Sequence, residues 1–122
     1  METPGTSYSC VIIDDDSISI TIPKHYLKRT GVLSLEDSFT DPVAGIASFK
    51  GRRKKIDFLF LDIEMEISGF DVARMLRKQS RFIIFTSANK TYVISSLSNA
   101  DSLLIKPFTF MELNEAVDYL IT

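Results

Sequence analysis

The chain has 122 residues, 45% of them hydrophobic, and a formal net charge of −2. That is enough for one compact domain with a real core, and it leaves no room for a second. A single cysteine, Cys10, excludes an internal disulfide framework and, with no signal-peptide pattern, points to a reducing, cytoplasmic setting. No apolar run approaches the roughly 20 residues of a membrane helix, and the mild negative charge gives no general reason to expect nucleic acid as a direct partner.

Met1 to Ser7 is rich in Gly, Pro, Ser and Thr and has nothing to bury, so positions 1–7 are expected to be a flexible N-terminal leader and 8–122 the folded domain. A first strand is expected from about Ser9 to Ile13. The run Asp14-Asp15-Asp16 ends it, and Asp16 or Ser17 can cap a helix from about Ser17 to Arg29 whose apolar positions Ile18, Ile22 and Tyr26 repeat every fourth residue. Pro23 predicts a bend or a late start for that helix, and Gly31 its end. Val32 to Phe39 alternates apolar and polar residues, as a strand near a sheet edge does. Asp41-Pro42 reads as a cap followed by proline at the first helical position, with Val43, Ile46 and Ala47 as the inner face of a short helix. The basic run from Lys50 to Lys55 has no interleaved aromatics and reads as a solvated loop into the next strand.

Phe58-Leu59-Phe60-Leu61 is uninterrupted apolar sequence, the pattern of a central parallel strand covered on both faces, and Asp62 follows it at once. After a loop, Ser68-Gly69-Phe70-Asp71 reads as a helix start, with Val72, Met75 and Leu76 facing inward. Phe82 to Phe85 is the fourth strand, ending in Thr86-Ser87-Ala88. Tyr92 to Leu97 is a weakly patterned helix, and Leu103 to Ile105 is the last strand, running into Lys106-Pro107. Thr109-Phe110-Met111-Glu112 is a capping box, after which Leu113, Ala116, Val117, Leu120 and Ile121 form an apolar face. Strands and helices alternate about five times, which predicts an α/β fold: a doubly wound five-stranded parallel sheet with helices on both faces.

In such sheets ligands bind beyond the carboxyl ends of the strands. Acids after the first and third strands, hydroxyls after the fourth and a lysine after the fifth would then meet at one edge. Crowded carboxylates attract a hard cation such as Mg²⁺, and a carboxylate can act as nucleophile toward phosphorus, with Thr86 or Ser87 and Lys106 as donors to the added charge. Taken singly, each feature is ordinary: an acid after a strand often only caps a helix, as Asp16 is expected to do, and a lysine before proline is commonly a solvated loop residue.

Val11-Ile12-Ile13-Asp14-Asp15-Asp16, Phe60-Leu61-Asp62-Ile63-Glu64-Met65 with Ser68-Gly69, Phe85-Thr86-Ser87-Ala88 and Leu104-Ile105-Lys106-Pro107-Phe108 together resemble the receiver domain of two-component response regulators. The fold of that family is CheY-like, or flavodoxin-like, and the phrase around Asp62 is similar to receivers of the LytR/AlgR (LytTR) group. The resemblance implies a bacterial, cytoplasmic phosphorelay protein in which Asp62 is phosphorylated by a sensor histidine kinase. It implies Mg²⁺ on Asp14, Asp15, Asp62 and the backbone carbonyl of Glu64. Ser87, rather than Thr86, matches the switch hydroxyl, Lys106 pairs with the phosphoryl group, and the Lys106-Pro107 bond is expected to be cis. Phosphorylation would bias the surface built from the Tyr92–Leu97 helix, the last strand and the last helix. No enzyme activity is expected beyond self-phosphorylation and self-dephosphorylation.

Two positions depart from the family pattern. Met65-Glu66-Ile67-Ser68-Gly69 lacks the usual proline and is one residue shorter, and Leu103 stands where receivers often carry a Tyr or Phe switch residue. Two other readings remain open. One is a pseudo-receiver used as an interaction module without phosphorylation. The other is a phosphatase similar to haloacid dehalogenases with Asp14 as nucleophile, which lacks the acids such enzymes need after a later strand. LytTR regulators carry a DNA-binding output domain after the receiver, whereas this chain stops at Thr122, as a stand-alone receiver or an excised domain would; a homodimer is also compatible.

Overall fold

The structure is a computed structural model that describes residues 7–122, so the expected leader lies outside the described residues except for Ser7. The elements in order are β1 (Tyr8–Ile13), α1 (Ser17–Arg29), β2 (Leu33–Phe39), α2 (Pro42–Ala47), β3 (Ile56–Asp62), α3 (Gly69–Leu76), β4 (Ser80–Ser87), β5 (Ser102–Ile105) and α4 (Phe110–Ile121). The five strands form one parallel sheet in the order β2-β1-β3-β4-β5.

Side chains alternate across a strand, and here the alternation divides the core in two. Cys10, Ile12, Phe58, Phe60, Ile84 and Leu104 face α1 and α4, meeting Ile20, Leu27, Leu113 and Val117. Val11, Ile13, Leu59, Leu61, Ile83 and Phe85 face the other way, toward Val72, Ala73 and Leu76 of α3 and toward Phe49 just after α2. Both faces of the central strands are therefore covered, as their unbroken apolar runs require. Cys10 is fully buried, and burial, with Asp57 nearby, pushes its thiol up to about 12, so it acts as a small core residue.

The helices form where their caps place them. Asp16 accepts from the Ile18 N–H, Asp41 from Val43, Ser68 from Phe70, and Thr109 and Glu112 close the capping box of α4. Gly31 follows α1 at φ +75, a left-handed value that suits glycine. The basic run from Lys50 to Lys55 lies in the loop between α2 and β3 as expected, mostly exposed, with Arg52 paired to Glu36 at 3.1 Å.

Several expected faces are corrected. In α1, Ile18 and Ile22 are 79% and 55% exposed, and the inward stripe is Ile20, Pro23 and Leu27 with Tyr26 half-buried beside them. Asp16 is tied to the end of β1, which fixes the rotation of the helix; the helix starts at Ser17 and runs through Pro23. In α2, Val43 and Ala47 face solvent while Gly45 is buried against Ile13 and Ile46 is half-buried. In α3, Met75 is 56% exposed and Ala73 is buried in its place. The helix expected over Tyr92–Leu97 is reduced to a single 3-10 turn, Ile94–Ser96. Thr91, Tyr92, Val93 and Ile94 are β-branched or aromatic, Ser95, Ser96, Ser98 and Asn99 prefer turns, and no side chain caps the segment.

Candidate functional site

The strand order reverses around β1, so the crevice that open α/β sheets use for ligands lies past the carboxyl ends of β1 and β3. Asp14 leaves β1 buried, held by its backbone N–H to Phe39 and by its Oδ1, which accepts the Asp16 N–H at 3.0 Å. Asp15 is exposed at the rim. Asp62 ends β3 and is 4% exposed. One carboxylate oxygen from each of Asp14, Asp15 and Asp62 lies within 4.8 Å of the others.

Lys106, just after β5, reaches across this end of the sheet. Its Nζ donates to Asp14 Oδ2 at 2.9 Å and to Asp62 Oδ1 at 3.1 Å. The peptide bond to Pro107 is cis, as the resemblance implied. Ser87 is fully buried at the end of β4, in register with Ile105. Its hydroxyl donates to both carboxylate oxygens of Glu64, 2.8 Å from each. Thr86 is in register with Asp62 and takes part through its backbone carbonyl, which accepts the Ile63 N–H at 3.0 Å. Leu103 is not in the cluster; it packs on the core face shared with α3.

The short loop after Asp62 folds back because Gly69 has no side chain. A Cβ there would collide with the Asp62 carbonyl oxygen and sit 2.7 Å from the Ile63 Cα. The Gly69 N–H donates to the Ile63 carbonyl at 2.9 Å and closes the loop. Ser68-Gly69 was legible as a helix start, but its part in shaping the crevice depends on this approach of two backbones.

The charges do not balance. Burial, then the neighbouring Asp14 carboxylate, raises the Asp62 pKa to about 6 against the opposing pull of Lys106. For Lys106, burial acts to lower the pKa, but hydrogen bonding and attraction from Asp14 and then Asp62 outweigh it and the net shift is upward. Asp16, at the exposed rim, is lowered by its hydrogen bonds to the Ile18 N–H and the Ser19 hydroxyl, the behaviour of a helix cap. Three acids around one ammonium leave an excess of negative charge, suited to a hard cation.

The response regulator receiver domain profile matches residues 10–118. The chain belongs to this family. As a receiver domain of two-component response regulators it is a regulatory domain, and its five-stranded parallel sheet with flanking helices is the CheY-like fold. Among curated proteins, the receiver is 36% identical over 66 residues to the sensory transduction protein LytR of Staphylococcus epidermidis, covering 51% of this chain and 26% of that protein. It is 32% identical over 82 residues to stress response regulator protein 1 of Candida tropicalis, covering 63% of this chain and 29% of that protein. The chain thus spans under a third of the length of the curated relatives it matches. Among solved structures, response regulator TrrA of Thermotoga maritima, in complex with Mg²⁺ and BeF, is 32% identical with a TM-score of 0.76, covering 93% of this chain and 98% of that one. The response regulatory domain of mrkE from Klebsiella pneumoniae shares the fold at 19% identity and a TM-score of 0.79, covering 93% and 94% of the two chains.

The sequence reading of this receiver missed the Glu64 carboxylate, having used only its backbone carbonyl. Nothing local marks it, since its partner Ser87 is 23 residues away at the end of β4.

Proposed function

We propose that Asp62 of this receiver accepts a phosphoryl group from a phosphohistidine of a sensor kinase. The observation that carries the reading is Lys106 joined to both Asp14 and Asp62, with Asp15 close enough for the three acids to share one cation. A Mg²⁺–oxygen distance of about 2.1 Å lets ligand oxygens lie up to about 4 Å apart. A cluster whose oxygens lie within 4.8 Å needs little closure to fit, and its donors are all hard oxygens. Asp14, Asp15, Asp62 and the Glu64 carbonyl would hold the ion. Once bound, Mg²⁺ would neutralise charge on the transferring group and its carboxylate acceptor.

The remaining chemistry belongs to this chain. An Asp62 carboxylate oxygen attacks phosphorus, the bond from phosphorus to the donor imidazole nitrogen breaks, and the electron pair leaves with that nitrogen. Lys106 donates to the charge that accumulates, and Ser87 supplies a hydroxyl donor at the end of β4. The exposed side chains of Ile18, Ile22 and Pro107 line an apolar groove beside Lys106, a surface that a kinase bringing its phosphohistidine to Asp62 would cover. The domain, running over 8–122, would work in the cytoplasm without multiple turnover, and a DNA-binding output domain would fit the resemblance to the LytTR group.

Intact mass after treatment with acetyl phosphate and Mg²⁺ tests the reading. One added phosphoryl group on the native chain, absent from Asp62→Asn and absent without Mg²⁺, is the expected result. No addition to the native chain under those conditions favours the pseudo-receiver, and continuous release of phosphate from a generic phosphate ester favours the phosphatase.

A further inference from the structure

Glu64 occupies the hydroxyl that the proposed chemistry calls on. A serine hydroxyl has one proton to donate, and here both Glu64 carboxylate oxygens share it, each 2.8 Å from Ser87 Oγ. The same Oγ accepts the Asn89 backbone N–H at 2.9 Å, which holds the oxygen in place, so turning its one proton toward a new acceptor gives up the bond to Glu64. Ser87 is fully buried, whereas Glu64 lies exposed in the loop after β3 and has solvent to move into. A carboxylate is an anionic oxygen acceptor, as a phosphoryl group is. Glu64 already repels the neighbouring Asp62 carboxylate, and a phosphoryl group on Asp62 would add about −1.5 to −2 of charge beside it.

We propose that Glu64 is a resting-state latch that takes the Ser87 hydrogen bond in place of the phosphoryl group and must be displaced when Asp62 is loaded. The inference rests on the phosphoacceptor reading of Asp62 and deepens it. Displacement exchanges one hydrogen bond for another: the Ser87 proton turns from a carboxylate oxygen to a phosphoryl oxygen, and no covalent bond changes. The latch holds β4 and its following loop in the resting arrangement and lowers affinity for a phosphoryl-like group.

Plain charge repulsion by Glu64 would also weaken such binding, and a double-mutant cycle separates the two effects. The probe is beryllium trifluoride with Mg²⁺, with affinity measured by calorimetry on the native chain, Glu64→Ala, Ser87→Ala and the double variant. Glu64→Ala is expected to bind roughly tenfold more tightly than native, the scale of one charge-assisted hydrogen bond. In the Ser87→Ala background the same substitution is expected to gain no more than about threefold, because only repulsion remains. Glu64→Gln, a neutral acceptor of similar shape, should fall between native and Glu64→Ala. Equal gains in both backgrounds would overturn the latch and leave the Asp62 reading intact. Native protein that binds no better than Asp62→Asn would overturn the Asp62 reading and the latch with it. A second cycle on unfolding by urea, without Mg²⁺ or fluoride, should show positive coupling between Glu64 and Ser87; zero coupling there also overturns the latch.

Discussion

Replacing Asp62 by asparagine is expected to make the Mg²⁺-free protein more stable. The carboxyl is buried beside Asp14 and its pKa rises from 3.8 to about 6 on folding, so the folded form holds the proton more tightly than the unfolded form. For an acid shifted upward, stability is greatest below the unfolded value and falls as pH rises through the window from 3.8 to about 6. Above pH 7 that shift amounts to about 3 kcal/mol of destabilisation, and at about pH 4.5, where the folded carboxyl is mostly protonated, to about 1 kcal/mol. Asparagine keeps an oxygen for the Lys106 ammonium, which donates to Asp62 Oδ1 at 3.1 Å, and removes the charge that burial penalises. Urea unfolding followed by far-ultraviolet circular dichroism should show Asp62→Asn ahead by about 3 kcal/mol at about pH 7.5, or roughly 10 °C in Tm. The advantage should shrink toward about 1 kcal/mol at about pH 4.5. Mg²⁺ should stabilise the native chain and not the variant, narrowing the gap at neutral pH. A variant less stable than native at about pH 7.5, or an advantage that does not change with pH, refutes this account of the site's electrostatics.

Lys106→Met leaves two nearly buried carboxylates without their ammonium and should cost about 3 kcal/mol at neutral pH, less at about pH 4.5, measured by the same unfolding curves. Because the Lys106 pKa is raised on folding, its own charge is complete below the ordinary 10.5 and is lost only as pH climbs above that, so the smaller cost at about pH 4.5 comes from protonation of Asp62. Gly69→Ala forces a methyl into the Asp62 carbonyl and the Ile63 Cα, so it should lower stability by about 2 kcal/mol or more and slow labelling by acetyl phosphate, read by intact mass. Asp101→Ala removes the acceptor for Arg77 Nη1 at 2.7 Å and for the Ile83 N–H at 2.8 Å. It should cost about 2 kcal/mol and raise amide exchange in the crossing between β4 and β5 while leaving exchange in β1 protected.

Much of the fold was legible because its signals are local. Apolar runs of Phe58 to Leu61 and Phe82 to Phe85, and caps at Asp16, Asp41, Ser68 and Thr109, need only near neighbours in the chain to act. What misled was helical phase. In α1 two apolar stripes compete, Ile18 with Ile22 and Ile20 with Leu27, and the periodicity of either is satisfactory. The sheet chooses between them, since Asp14 and Asp16 fix where the helix leaves β1. The same holds for Val43 and Met75, apolar residues at plausible spacing that the neighbouring helices leave in solvent. The expected helix over Tyr92–Leu97 failed for a local reason: the segment has poor helix propensities and no side-chain cap, and it closes only a single 3-10 turn.

The residues by themselves determined that acids, a hydroxyl and a lysine stand directly after strands, because strand and cap signals are written in short stretches of chain. Only the tertiary structure decided how those groups are shared in the resting protein. Lys106 spans Asp14 and Asp62, Gly69 lets one backbone touch another, and Glu64, in the loop after β3, holds Ser87 at the end of β4. Distance and burial set those pairings, and neither quantity exists until the strands lie side by side.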